Sequence, residues 1–140
     1  AMDYDPTGDF ATGSSFALGI VCIAERPYAE GPGDAAVPGP RPEDLATFER
    51  MRARCRTLIL IVYSGRPILL GDMLSRSDAV VAAWLPGSEA TELPALLVGS
   101  ADFEGTLTQP WPLVRSDIEA MANHPIPIRD PYEKDTTVDI

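Results

Sequence analysis

Glu30 stands out among the acidic residues for its setting. It lies in the run Arg26-Pro27-Tyr28-Ala29-Glu30-Gly31-Pro32-Gly33-Asp34, where proline and glycine restrict the backbone on both sides. A carboxylate held this way reads as part of a site rather than of a plain connection, with a solvated loop acid as the default reading of these residues alone. The apolar run Phe16 to Ala24 before it reads as a buried strand, and a helix follows. In open α/β sheets ligands bind in the crevice beyond the carboxyl ends of the strands. Tyr28 suits either lining a pocket there or anchoring its own loop, and Asp34 suits ordering the Gly31–Gly33 turn.

Other chemistry has less behind it. Cys22 and Cys55 show no CxxC spacing, and both read as buried small hydrophobes. His124 is the single histidine, so a metal site is not expected. Ser64-Gly65 lacks the GxSxG elbow of a nucleophilic serine. Neither GxGxxG nor a GKS/T loop is present for nucleotides, and no cofactor is expected.

The elements around Glu30 follow from pattern. Residues 1–15 form a polar lead-in. Phe16–Ala24 is apolar at every position, as a strand covered by helices on both faces should be. The loop 25–41 carries prolines at 27, 32, 38 and 40 and glycines at 31, 33 and 39, and loops of this length are often functional. Pro42-Glu43-Asp44 suits a helical first turn. Leu45, Phe48, Met51 and Cys55 make one apolar stripe, and the arginines between 41 and 56 read as its solvated face. Thr57–Tyr63 is a second strand closed by Ser64-Gly65-Arg66-Pro67. Ile68–Leu70 reads as a short extended piece and Asp72–Ser75 as a helical turn. Asp78–Trp84 is a third strand. Thr91 as N-cap places Pro94 in a helical first turn, where its missing N–H is harmless, and that helix stops at Gly99. Ser116-Asp117-Ile118-Glu119 reads as a capping box. His124-Pro125-Ile126-Pro127-Ile128 must be extended, and 116–140 form a strap or tail. Strand, helix, strand, turn, strand, helix is the order of a parallel α/β sheet.

The totals narrow the partners. One domain, or a piece of one, is expected from 140 residues with 45% hydrophobic content. A net charge of −10 argues against nucleic acid, which needs clustered Lys and Arg. No apolar stretch reaches the roughly 18 residues of a membrane span, and no leader is visible.

Four pieces in order resemble the second, α/β-sandwich domain of glycoside hydrolase family 3, in its β-glucosidase and exo-β-glucanase branch. They are Pro27-Tyr28-Ala29-Glu30-Gly31 with Gly33-Asp34, Ser64-Gly65-Arg66-Pro67, the run Asp78 to Glu89, and Phe103-Glu104-Gly105-Thr106-Leu107 with Trp111-Pro112. The likeness covers residues 16–115. It implies a three-layer αβα sandwich with a mostly parallel, flavodoxin-like sheet, here incomplete. The implied activity is a retaining hydrolase acting on a β-glucoside or β-glucan, with Glu30 as general acid/base. The nucleophilic Asp is expected from a preceding (β/α)₈ barrel, absent here and supplied in cis or in trans. Retention needs two carboxylates about 5–5.5 Å apart. Burial and the second carboxylate are expected to raise the pKa of Glu30. The resemblance also suggests a secreted or periplasmic setting.

The chain departs from the family's pattern. Ala90 and Glu92 replace glycines expected after Glu89, and the run from Leu93 to Gly99 lacks an expected Asp and Phe. Three strands should leave one side of the sheet bare. A proton donor without a nucleophile and a sugar pocket is not an active site, so the chain alone is expected to be inactive. The alternative is a non-catalytic interaction or carbohydrate-binding domain on the same scaffold, with self-association through a bare edge. A phosphoacceptor receiver is disfavoured, because Glu25 and Glu30 do not form its acid cluster. Trp84 is expected to pack or to stack on sugar, Trp111 to pack, and Arg66 to brace its turn or a domain interface through carbonyls.

Overall fold

A computed structural model of the chain describes residues 2–107 and 109–123. Three strands, β1 (Phe16–Ala24), β2 (Cys55–Tyr63) and β3 (Ala79–Ala82), form one parallel sheet in the order β1-β2-β3. Phe16 lies opposite Cys55 and Ala24 opposite Tyr63, so β1 and β2 begin and end level. Parallel neighbours need crossovers. The first runs through α1 (Pro42–Arg52) and the second through the short α2 (Asp72–Arg76). This is the expected α/β order.

β3 is shorter than the expected Asp78–Trp84 run at both ends, although Ala83 N–H still donates to Val62 O at 3.0 Å and Asp78 N–H to Leu58 O at 2.9 Å, and Asp78 adds side-chain bonds. Its carboxylate accepts the Leu58 N–H at 2.7 Å and an Arg52 N–H at 2.8 Å. Ile68 and Leu70 are buried in the core but form no strand. Beyond β3, a 3₁₀ helix (Gly87–Glu92) leads into α3 (Leu93–Leu97). Pro94 sits in its first turn, and Gly99 at φ +71° follows its end. Glu92, not Thr91, is the N-cap. The last described helix, α4 (Arg115–Asn123), starts before the Ser116 box. Asp117 reaches back from the first turn to accept the N–H groups of Leu113 and Val114, at 2.8 and 3.0 Å. The strap containing His124 lies outside the described residues.

One face of the sheet carries the core. Val21 and Ile23 of β1 and Leu58, Leu60 and Val62 of β2 pack with Phe48, Met51, Ile68, Leu70 and Met73. The buried face of α1 is Asp44, Phe48 and Met51, while Leu45 is 43% exposed, which corrects the expected stripe. Asp44 tolerates this position because Arg41 neutralises it, donating from its backbone N–H, Nε and Nη2 at 3.2, 2.9 and 2.7 Å.

The opposite face is open along β1. Leu18 and Ile20 are 53% and 43% exposed, and Cys22 beside them is exposed as well. Expecting β1 to be covered on both faces, and Cys22 to be buried, was therefore wrong here. Cys55 is buried, and both thiols are free. The bare side agrees with a sheet of three strands.

The arginines of α1 and its C-terminal turn are more than a solvated face. Arg50 donates to Thr7 O and Arg54 to Ala11 O, each at 2.8 Å. These bonds tie the lead-in to the helix, and Phe10 meets Phe16 edge-on at 4.8 Å. Among the described residues no helix is long and apolar enough to cross a membrane.

Two ion pairs connect α1 to the α2–β3 segment, Arg52–Asp78 and Arg76–Glu49. Hydrogen bonds from Arg52 and then from the Leu58 N–H hold the Asp78 carboxyl below its ordinary 3.8. Arg76 holds Glu49 below its ordinary 4.5. Carboxyls depressed in the folded state stabilise above their unfolded values and lose that contribution as pH falls through the folded ones. Urea midpoints should therefore drop once the pH falls below about 4, and Asp78→Asn should flatten part of that drop. An Asp78→Asn variant losing stability as steeply as the parent would count against this linkage.

Candidate active site

Because β1 and β2 end level, the residues leaving them meet. The Glu25 N–H donates to Tyr63 O at 3.0 Å and extends the strand ladder by one bond. Three residues beyond β2, Arg66 reaches back across the strand ends. Its Nε and Nη2 donate to Glu25 Oε1 at 3.1 and 2.9 Å. The side chains are 30% and 12% exposed, so the pair is largely withdrawn from solvent. Ser64, buried beside them, donates its hydroxyl to Arg66 O at 2.7 Å and tightens the turn. Arg66 was expected to serve carbonyls; its partner is a carboxylate because the strand register places Glu25 within reach.

Tyr28 closes the group. Its hydroxyl donates to Glu25 Oε2 at 3.3 Å, and the Arg66 guanidinium carbon lies 4.7 Å from its ring centroid. Poor solvation and then the Glu25 charge push the phenol above its ordinary range, against the pull of Arg66, so Tyr28 stays a donor. The ring also lies against Gly33. A Cβ added at Gly33 would come within 2.1 Å of Tyr28 Cδ2, so this position requires glycine.

Glu30 follows directly. It precedes the 3₁₀ turn Gly31–Gly33, with its carbonyl accepting the Gly33 N–H at 2.9 Å. Its backbone sits at φ +51°, ψ −141°, a region that side-chain-bearing residues rarely occupy. The side chain is exposed and forms no hydrogen bond or ion pair with the described residues. Asp34 is exposed as well, and its backbone N–H bonds Gly31 O at 3.0 Å to close the turn. Glu25 is committed to Arg66 and Tyr28, whereas the Glu30 carboxylate is left available for chemistry.

Beside this loop, Gly65, Arg66, Pro67, Trp84 and Gln109 line an open cavity of about 390 Å3. Trp84 has φ +52° and its ring lies 5.9 Å from that of Trp111. Trp111 packs against the core and Pro112 is fully buried. Among the described residues the non-glycine positions with positive φ are Glu30 and Trp84, and both stand in loops leaving the carboxyl ends of strands. Such backbone outliers cluster at functional sites. No group of three or more potential metal ligands occurs among the described residues.

Two residues of this region escaped sequence reasoning. Glu25 was considered only as a receiver acid. Its real signal was an opposite charge, Arg66, just past the end of the neighbouring strand. Gln109 gave no signal, since nothing local to it indicates the cavity.

The chain matches the model of the glycosyl hydrolase family 3 C-terminal domain over residues 11–140. It is also similar to a protein named lysosomal beta glucosidase from Dictyostelium discoideum, 32% identical over 101 residues. That similarity covers 71% of this chain and 12% of the relative's length.

Backbone strain at Glu30 makes a direct prediction. A residue held in a sparsely populated region costs about 1–3 kcal/mol, and glycine removes that cost while loosening the unfolded chain by about 0.4–1 kcal/mol. Glu30→Gly should therefore raise stability to urea by about 1 kcal/mol, while Glu30→Ala, which keeps the Cβ, should not. Equal effects of the two substitutions would contradict the strain.

Proposed function

The chain belongs to the glycosyl hydrolase family 3 C-terminal domain family, and we propose that it supplies Glu30 as general acid/base to a two-domain active site. The chain spans 12% of the length of its beta-glucosidase relative, so the remaining machinery would come from elsewhere. A barrel domain would bring the nucleophilic carboxylate and most of the sugar pocket. The substrate would be a β-glucoside or the non-reducing end of a β-glucan. The observation that carries this reading is Glu30 itself, exposed and without a side-chain partner among the described residues, on a strained, anchored loop beyond the first strand.

The chemistry needs two steps. In the first, the carboxylate from the barrel attacks the anomeric carbon while Glu30, protonated, gives its proton to the departing glycosidic oxygen. A glycosyl ester forms and the aglycone leaves as an alcohol. In the second, Glu30, now a carboxylate, takes a proton from water as the water oxygen displaces the ester. Sugar leaves with retained configuration, and Glu30 is again protonated. Two carboxylates suffice for this cycle without a cofactor.

The chain exposes Glu30, no described residue makes a hydrogen bond or ion pair to its side chain, and in this reading the nucleophile belongs to the barrel. A barrel seated over the loop would remove Glu30 from water and place a second negative charge nearby. The isolated chain should therefore be inactive.

A non-catalytic interaction domain is the second reading, favoured by the exposed apolar residues Leu18 and Ile20 on β1. One experiment separates the two. In the protein that joins this domain to its barrel, Glu30→Gln should lower kcat/KM on an unactivated aryl β-glucoside by roughly 10²–10⁴-fold. Unchanged activity would remove Glu30 from the reaction and leave the interaction reading.

A further inference from the structure

We propose that Glu25 and Arg66 are positioning residues for Glu30, acting through Tyr28; the inference rests on the acid/base reading of Glu30. Glu25 is fixed to the end of β1 by its backbone bond to Tyr63, and Arg66 stands just past the end of β2. Their ion pair therefore spans two rigid strands. Tyr28 is gripped from both sides, by the Glu25 carboxylate at its hydroxyl and the Arg66 guanidinium over its ring. The far side of the contact is Gly33, whose N–H is bonded to Glu30 O. A continuous path of contacts thus runs from the sheet to the backbone of Glu30.

The loop needs such a device. A non-glycine residue at φ +51° persists only when its surroundings over-determine it. Between Pro27 and Asp34, Tyr28 carries the single polar side-chain contact to the described residues. The other backbone bonds between Pro27 and Asp34 lie inside the Gly31–Gly33 turn and shape it without tying it to the sheet; the next tether, Leu69 N–H to Pro38 O at 2.8 Å, stands four residues further on. The nearby pair Arg26–Glu43 is 3.8 Å apart with both side chains more than half exposed, a weak tether. Without the Glu25–Arg66–Tyr28 group, the turn would keep its form and lose its place. A misplacement of about 1 Å can cost a proton donor roughly 10²-fold in rate.

Glu25, Arg66 and Tyr28 touch neither substrate nor reacting atoms in this account, so their loss should look like a displaced acid. The leaving group reports this. The test uses the barrel-bearing protein with two substrates, phenyl and 2,4-dinitrophenyl β-glucoside. The dinitrophenolate departs without a proton, while phenol needs one. Glu30→Gln, Arg66→Lys and Glu25→Gln should all lower kcat/KM for the phenyl glucoside, the last two by roughly 10²-fold. All three should leave the dinitrophenyl glucoside within a few-fold of the parent. Tyr28→Leu removes the link to Gly33 but keeps the Glu25–Arg66 pair between the strands. It should show the same selectivity in a protein with a parental melting temperature. Equal losses on both substrates for the Arg66, Glu25 and Tyr28 variants, or no loss on either, would overturn the positioning role while leaving Glu30 intact. Absence of selectivity in Glu30→Gln would overturn the acid/base reading itself, and this inference with it.

Discussion

β1 and β2 run parallel and end level, and the rest of the site depends on that register. Because Ala24 lies opposite Tyr63, the next residue on one strand is within reach of the turn that leaves the other. Glu25 and Arg66 meet there, with Tyr28 beside them. A one-residue slip would turn the side chains of β1 to the other face and carry Glu25 away from Arg66. The same register sets the core, with Val21 beside Leu60 and Ile23 beside Val62 under Phe48. Packing and site geometry thus share one cause.

The two faces of the sheet are unequal. One is closed by α1 and the Ile68–Met73 segment, with Phe48 and Leu58 fully buried. The other leaves Leu18 and Ile20 in the open. Long loops gather at the carboxyl ends of the strands, as in other α/β sheets. There the chain accepts unfavourable backbone at Glu30 and Trp84, beside a cavity that Arg66 and Trp84 help to line. The strain is held against a rigid background, which is how such conformations persist.

Much of this was legible in the sequence. Phe16–Ala24 has the apolar continuity of a parallel strand, and its bounds come out as read. Pro42 with two acids marks the start of α1, and Gly99 marks the end of α3. The limits of local reading appear where a distant partner decides. Asp44 takes an inward position because Arg41 neutralises it, and Leu45 is turned out as a result. Asp78, just before β3, holds Leu58 with its carboxylate as well as its backbone, twenty residues earlier in the chain. The lead-in looked like a polar preface, yet Arg50 and Arg54 tie it to α1 across 43 residues. The loop around Glu30 was visible from composition; its anchor on Glu25 was not, because that bond crosses between two strand ends. Burial of Cys22 failed for a related reason. An apolar strand reads the same whether one face is covered or both.

In the proposed enzyme the loop after β1 delivers Glu30 to a sugar held by another domain. The direct measurement is a crystal structure of the barrel-bearing protein with a 2-deoxy-2-fluoroglucosyl group trapped on its nucleophile. The Glu30 carboxyl should lie about 5–5.5 Å from the nucleophilic carboxylate, with the Glu25–Arg66–Tyr28 group intact behind it. A trapped sugar with Glu30 turned to solvent, and another carboxyl at that distance, would remove Glu30 from the role of acid/base.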